Sequence, residues 1–323
     1  MNLTYHEAAV FLRERDGFLI LTHKRPDGDT IGCAIALCRA LRRIGKTAFV
    51  LPNADATSLF DPYWGDAPAP VDFVPRTVVS VDIASLGLFP DNAQPYKDKV
   101  DLAIDHHPSN EGFGARNCVE SDKAACGEIL YAVIRELLGT PEEECLPADV
   151  ALPLYLAVST DTGCFVYSNT TANTHTVAAA LMQSGIDYAG VNKRHFRTKS
   201  YVRLRLESRM IETMDLHHGG QTAIAAISLR DMADLGATEA DVEDIAAVVG
   251  QLEGVHTAVT IRELKPGECK LSVRTQADLN ASKVCKLLGG GGHAAASGCT
   301  VYGSVDQAKA AILDAINTIK AEG

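Results

Sequence analysis

No stretch of the 323-residue chain is apolar for long enough to cross a membrane; the longest candidates, such as Asp149 to Ser159, are short and bounded by Pro or Asp. The opening MNLTYHEAAVFLRERDG carries charges where a secretory signal needs an apolar segment, so a cytoplasmic protein is expected. The nine cysteines form no CxxC pair and follow no regular spacing, which argues against a zinc framework or a disulfide scaffold. Cys33 and Cys38 read instead as reduced thiols on an apolar helix face. Cations are outnumbered, 30 Lys and Arg against 41 Asp and Glu. The resulting net charge of −11 excludes tight, sequence-independent binding to long duplexes, which draws on many phosphate contacts. Short nucleotides remain open, because metals and a few local cations can hold one or two phosphates. There is no internal repeat, no low-complexity tail, and no Ser/His/Asp triad or activated Cys.

What the chain does have is Asp and His at four separate places, each at the end of an apolar segment. FLILTHKRPDGDT delivers His23, Asp27 and Asp29 across a Pro/Gly turn, and TVVSVD ends in Asp82. VDLAIDHH ends in Asp105, His106 and His107, and PLYLAVSTDTG delivers Asp161. Three of these runs are rich in Val and Ile and alternate with helical patterns, as strands of a parallel sheet do when both faces are covered. The fourth, Leu152 to Ser159, fits helix or strand. In a parallel α/β sheet, polar groups just past the carboxyl ends of strands converge on one crevice. A single Asp in such a place is as readily a helix cap or turn former. Caps do not explain two adjacent His together with an HxxxDxD triplet, and the set reads as a metal site. Mixed carboxylate and imidazole donors suit divalent cations, and two of them would balance four carboxylates.

The length allows two domains, and 46% hydrophobic content supports ordinary packed cores. Residues 29–45 have helical apolar spacing (Ile31, Ala34, Ile35, Cys38, Leu41) with Gly45 as a stop. Residues 52–76 read as an irregular excursion, and helices are predicted over 124–138 and 171–185, the latter with Thr171 as cap. A polar stretch from Ile186 to Asp215 reads as a connector. From Gln221 the pattern becomes strand (TAIAAISL), acidic helix (ATEADVEDIAAVV), two strands (HTAVTIREL, CKLSVRTQ), helix (280–288), a glycine run and a final helix, the order of an α+β domain with its own sheet.

The HxxxDxD segment with DTIGCAIAL after it, the VDIAS and DHH segments, and TDTGCF closely resemble the four motifs of the DHH phosphoesterases. GGGGHAAASG, Gly289 to Gly298, resembles the glycine-rich motif of the associated DHHA1 domain, and the resemblance spans nearly the whole chain. It implies an α/β fold: a parallel-sheet DHH domain over 1–186, a helical linker over 187–216, and a smaller α+β DHHA1 substrate-binding domain over 217–323 across a cleft. It also implies that His23, Asp27 and Asp82 hold one metal, that Asp29, Asp82, His106 and Asp161 hold the other, and that Asp82 bridges them. Mn²⁺ suits this donor set best, with Mg²⁺ or Co²⁺ as alternatives. Catalysis would then run through a metal-bridging hydroxide, with His107 facing the phosphate and Asp105 orienting a neighbour.

In the second half, the glycines followed by His293 and a small-residue helix start would bring backbone N–H groups and a helix dipole to an anion. The substrate-binding candidates there are Arg274, Gly290, Gly291, Gly292, His293 and Ser297. Compact two-domain members of the family resemble nanoRNases that degrade very short RNAs and also dephosphorylate phosphoadenosine phosphate, which makes short RNA or a nucleotide the expected partner. Relatives of the same size that hydrolyse cyclic di-AMP or its linear product supply the alternative, and a nucleotide sensor without turnover is a minor one. Family II pyrophosphatases lack the glycine motif, and RecJ-type exonucleases are much longer. Some family members are dimers through the DHH half, so a homodimer is a modest expectation.

Overall fold

Near-continuous apolar runs are buried on both faces only in a sheet covered twice, and that is how the first half of the chain is built. In the computed structural model, which describes residues 2–141, 143–242, 245–276 and 279–322, the chain divides into two compact units, Met1–Thr198 and Lys199–Gly323. In the first unit, strands β1 (Phe18–Leu21), β2 (Ala48–Val50), β3 (Thr77–Val81), β4 (Leu102–Asp105) and β5 (Arg116–Val119) pair in parallel in the order β2-β1-β3-β4-β5. Every residue of β1, β3 and β4 is buried. One face (Phe18, Ile20, Val79, Val81, Leu102, Ile104) packs into the main core, and the other (Leu19, Leu21, Val78, Ala103) packs against Ile83, Phe89, Ala93 and Val100.

The helices of this unit are α1 (Tyr5–Glu14), α2 (Gly28–Arg43), the short α3 (Asp61–Trp64), α4 (Cys126–Leu138), α5 (Ala148–Asp161), α6 (Ala172–Gln183) and α7 (Tyr188–Asn192). The residues predicted to form the apolar stripe of α2, Ile31, Ala34, Ile35, Cys38 and Leu41, are all fully buried. Thr171 caps α6 as expected, in a capping box with Thr174. The fourth apolar run is helix, not strand: it is α5, hydrophobic nearly all round because it lies inside the core. Pro153 within it cannot donate to the carbonyl of Asp149, and Arg39 Nη1 donates to that oxygen instead at 2.7 Å.

The second unit holds α8 (Tyr201–Glu212), β6 (Asp215–His217), β7 (Thr222–Ile227), α9 (Leu229–Leu235), β8 (Thr257–Lys265), β9 (Glu268–Thr275), α10 (Ala281–Lys286), β10 (Gly291–Gly292), β11 (Ala296–Tyr302) and α11 (Val305–Glu322). Its sheet runs β10-β11-β9-β8-β7-β6, with β7 and β8 parallel and the other neighbours antiparallel. The stretch Ile186 to Asp215 is helical but divided: α7 and the turn Lys193–Arg197 belong to the first unit and α8 to the second.

Two expectations are corrected in this unit. The acidic segment 237–249 forms 3₁₀ turns at Glu239–Val242, Ile245–Ala247 and Val249–Gln251 in its described residues, with 243 and 244 outside them. Val242, Ile245 and Val249 are buried in one cluster with Ala223, Ala225 and Ala258 of β7 and β8. The small residues after His293 do not start a helix. They lead into β11, where Ser297 and Cys299 are buried, Thr300 is exposed, and the alternation is that of a strand.

Candidate metal centre

A strand order of 2-1-3-4-5 places its topological switch point between β1 and β3, where ligands bind in parallel sheets. Register pairs Leu21 with Ser80 and Val81 with Ile104, so the residues just past β1, β3 and β4 emerge side by side. His23 follows β1, Asp82 follows β3, and Asp105 ends β4. Two helices supply the rest. Asp27 caps α2, Asp29 lies in its first turn, and Asp161 is the last residue of α5.

The structure brings all six predicted ligands together as two groups, His23, Asp27 and Asp82, and Asp29, His106 and Asp161, while a third group joins Asp82 to His106 and His107. His23 Nε2 lies 3.6 Å from Asp27 Oδ1 and 3.6 Å from Asp82 Oδ2. His106 Nε2 lies 3.5 Å from Asp82 Oδ1, 3.6 Å from Asp161 Oδ2 and 3.8 Å from Asp29 Oδ2. These separations are too long for charge-assisted hydrogen bonds. Donors each about 2.1 Å from one cation stand roughly 3–3.6 Å apart, close to what is seen.

The imidazoles are preset for ligation. His23 Nδ1 sits 2.9 Å from the carbonyl of Lys24, and His106 Nδ1 sits 3.1 Å from that of Lys123. A proton on each Nδ1 leaves Nε2 with its lone pair aimed at the carboxylates. Asp29 is fixed from behind: Ala125 precedes α4 and cannot cap it, and the amides of Cys126 and Gly127 donate to the Asp29 carboxylate at 2.7 and 3.0 Å. Asp27 Oδ1 accepts the amides of Asp29 and Thr30, so this residue caps a helix and faces His23 at once.

Asp82 carries the most demanding environment. Its backbone is left-handed (φ 59°), it is buried, and its Oδ1 makes no hydrogen bond. A buried, unsatisfied carboxylate oxygen facing His106 and His107 is costly without a cation, so the donor set fits divalent metal. Burial and the neighbouring Asp29 hold the Asp82 carboxyl well above its ordinary range, and burial raises Asp29 too. Burial and the charges of Asp29 and Asp27 push Asp161 up to about 8, and the negative end of α5 adds to the adverse field. Burial opposes charge on His23, yet its contacts with Asp27 and Asp82 carry it up to about 11.

His107 and Asp105 form a second layer. Asp105 Oδ1 accepts from His107 Nδ1 at 2.7 Å, which raises the imidazole pKa against the effect of burial. Asp105 Oδ2 accepts from Asn110 Nδ2 at 2.6 Å. Sequence reasoning missed Asn110, although a polar residue five beyond Asp105 in DHHPSN was the available signal. It also missed Asn169, whose amide donates to the Asp161 carbonyl at 3.1 Å and ties the end of α5 to the following loop.

In the second unit, Arg274 is an exposed residue of β9, in register with Ala296 of β11. Gly291 and Gly292 pair with Gly298 and Ser297. A Cβ on Gly290 would meet the Gly298 carbonyl at 2.3 Å, and one on Gly292 would meet the Ala296 carbonyl at 2.8 Å, so these two glycines are required by a tight hairpin. His293 is exposed at its tip, and its carbonyl accepts from the buried Ser297 hydroxyl at 2.8 Å. Arg274, Gly290 to Gly292, His293 and Ser297 therefore share one sheet edge, with no helix N-terminus among them.

A parallel sheet whose switch point gathers carboxylates and imidazoles defines a metal-dependent phosphoesterase as the class of protein. Residues 17–158 match the N-terminal domain of the DHH family, and residues 219–322 match the DHHA1 domain. The chain is 33% identical over 305 residues to the bifunctional oligoribonuclease and PAP phosphatase NrnA of Thermus thermophilus, covering 92% of this chain and 88% of that protein. To the NrnA of Bacillus subtilis it is 24% identical over 301 residues, covering 93% of each. Among solved structures, an exopolyphosphatase-related protein from Bacteroides fragilis shares the fold with a TM-score of 0.87 at 21% identity, over 98% of this chain and 96% of that one. The chain belongs to the DHH family, with a DHHA1 domain as its second half. Among the described residues no helix is long and apolar enough to cross a membrane.

Proposed function

We propose that this protein hydrolyses short oligoribonucleotides and removes a phosphate from phosphoadenosine phosphate, with two divalent cations, Mn²⁺ foremost, at the sheet edge. The single observation that carries the reading is the two-sided Asp82 carboxylate: Oδ2 faces His23, while the unsatisfied Oδ1 faces His106 and His107. His23, Asp27 and Asp82 would hold one cation, and Asp29, Asp82, His106 and Asp161 the other. Bound there, such cations supply a water nucleophile at neutral pH and offset charge on phosphoryl oxygens. His107, whose imidazole pKa is raised by its bond to Asp105, faces the phosphate and stabilises its developing negative charge. Asp105 orients that ring and is itself held by Asn110.

In the DHHA1 half, the close-packed Gly290 to Gly292 hairpin, Ser297, the exposed His293 and the strand-borne Arg274 receive a phosphate of the substrate. The names of the NrnA relatives favour short RNA and PAP as substrates. His293→Ala is expected to raise KM for substrates with a distal phosphate, and unchanged kinetics would remove it from the site. The decisive experiment is turnover with Mn²⁺ on a dinucleotide, a five-nucleotide RNA, phosphoadenosine phosphate, cyclic di-AMP and pyrophosphate. Fast cleavage of the first three, abolished by EDTA, is expected. Preference for cyclic di-AMP, or no turnover of any substrate, would overturn the reading.

A further inference from the structure

The Asp29 carboxylate is buried in the first turn of α2, and its two oxygens are unequally occupied. Oδ1 accepts from two donors, the amide of Gly127 at 3.0 Å and the thiol of Cys33 at 3.1 Å. Oδ2 accepts from one, the amide of Cys126 at 2.7 Å, and faces His106 Nε2 at 3.8 Å. A carboxylate offers about four lone-pair sites, two on each oxygen. Three are therefore taken, and the one left open lies on the oxygen that faces the candidate ligand His106. The helix puts Cys33 in this place, one turn beyond Asp29 on the same face of α2. A carboxylate has no proton to give, so the thiol is the donor. Cys33 is fully buried, and bulk water does not compete for the site it fills.

The number of oxygens that a carboxylate presents bears on which cation it suits. Ca²⁺ takes about six to eight oxygen donors and accepts a carboxylate through both of its oxygens, whereas mixed imidazole and carboxylate donors in smaller number suit Mn²⁺. We propose that Cys33 is a specificity-determining residue of the metal centre: by occupying Oδ1 it confines Asp29 to one oxygen toward the cation, and so disfavours Ca²⁺ relative to Mn²⁺. This rests on the divalent-metal reading of the site. A thiol is a weak donor on its own, but the Gly127 amide binds the same oxygen, and the two together hold the carboxylate with Oδ1 turned away. Removal of the thiol frees one lone pair of Oδ1 for a second contact with the cation.

The experiment titrates the metal-stripped full chain with Mn²⁺ alone and with Ca²⁺ alone, by calorimetry, for wild type, Cys33→Ala and Cys33→Ser. The readout is the ratio of the two dissociation constants. Wild type is expected to bind Mn²⁺ more tightly than Ca²⁺. Cys33→Ala, which lacks the donor, is expected to shift the ratio toward Ca²⁺ by roughly 10-fold, the usual effect of losing a contact behind a metal ligand, and Cys33→Ser, which keeps a donor, to restore it. Both constants come from one preparation, so a loss of folded protein removes sites for both cations and leaves the ratio unchanged. An unshifted ratio in Cys33→Ala, or a shift that Cys33→Ser shares in full, would overturn the role of the thiol. Wild-type protein that binds neither cation would overturn the metal reading itself, and that is seen before any variant is made.

Discussion

Asp105 is not among the six candidate ligands, yet its Oδ1 accepts the amide of His106 at 2.8 Å and the ring of His107 at 2.7 Å, and the second bond raises the pKa of an imidazole beside the centre that is not assigned to a metal. Replacing it with Asn keeps the shape and removes the charge. With His107 acting as a cation toward phosphate, activity falls as pH rises through the His107 pKa, and Asp105 holds that pKa up. In Asp105→Asn the pKa drops, so the alkaline limb of kcat/KM should move to lower pH, with an overall loss of about 10- to 100-fold at neutral pH. A limb that stays in place would separate His107 from the chemistry. The ligands themselves make a second prediction, for the metal-free protein. Asp161, raised to about 8, binds a proton more tightly folded than unfolded, so its penalty is absent below the ordinary carboxylate range and complete above about 8. His23, raised to about 11, gives stability that is present below the ordinary imidazole pKa and is lost as pH rises toward 11. Both act in the same direction, and the lowered carboxyls of Asp27 and Asp105 titrate below the window. The Tm of EDTA-treated protein should therefore fall by several degrees between about pH 5.5 and pH 8.5, and Mn²⁺ should flatten the profile. A Tm that rises over that window would contradict the assignment.

At the scale of elements, the centre depends on how closely α2 and α5 approach, since one carries Asp29 in its first turn and the other Asp161 at its end. Gly32 permits that approach: a Cβ there would lie 2.2 Å from the Pro153 carbonyl and 3.1 Å from the Ala157 Cβ. Gly32→Ala is expected to cost about 1–3 kcal/mol in urea unfolding, as overpacking does, and to weaken metal affinity together with stability. Unchanged stability would mean that the helices are free to part. Nothing in the sequence marks Gly32 as a crossing point, because a glycine in a helical pattern has the same appearance whether it faces a neighbour or water. Strands β1, β3 and β4 were legible because burial on both faces leaves a continuous apolar run, and the candidate ligands His23, Asp82 and His106 lie just past their ends. The run ending in Asp161 was ambiguous for the same reason, since a helix buried all round has no polar face to set its period. His293 to Gly298 misled in the opposite sense. Ala294 to Ala296 favour helix by intrinsic propensity, but Ala296 to Gly298 pair with β9 through the β11 register and are strand, while His293 to Ala295 form the hairpin turn.

Over the whole molecule, the net charge bears on the length of substrate that the proposed activity would accept. The net charge is −11, and many cations are already engaged within the fold. Arg13, Arg39, Arg42 and Arg135 donate to backbone carbonyls, Lys199 and Arg203 share Glu207, and Arg262 pairs with Glu239. Cations spent in this way do not form a track for a polyanion, so each added nucleotide brings repulsion without a matching contact. Neutralising a phosphate of a single strand contributes a slope of about −0.7 in log K against log salt, so gripping one or two phosphates gives a slope between about −0.7 and −1.4. The kcat/KM of the Mn²⁺-loaded protein on a dinucleotide should follow that shallow dependence and should fall steadily as the RNA is lengthened toward about 24 nucleotides. A steeper slope, or a preference for the longer strand, would mean that cations other than these grip the strand. Because the loaded metal centre would be the strongest positive element of the molecule, EDTA should abolish turnover of the dinucleotide and of the longer strand alike.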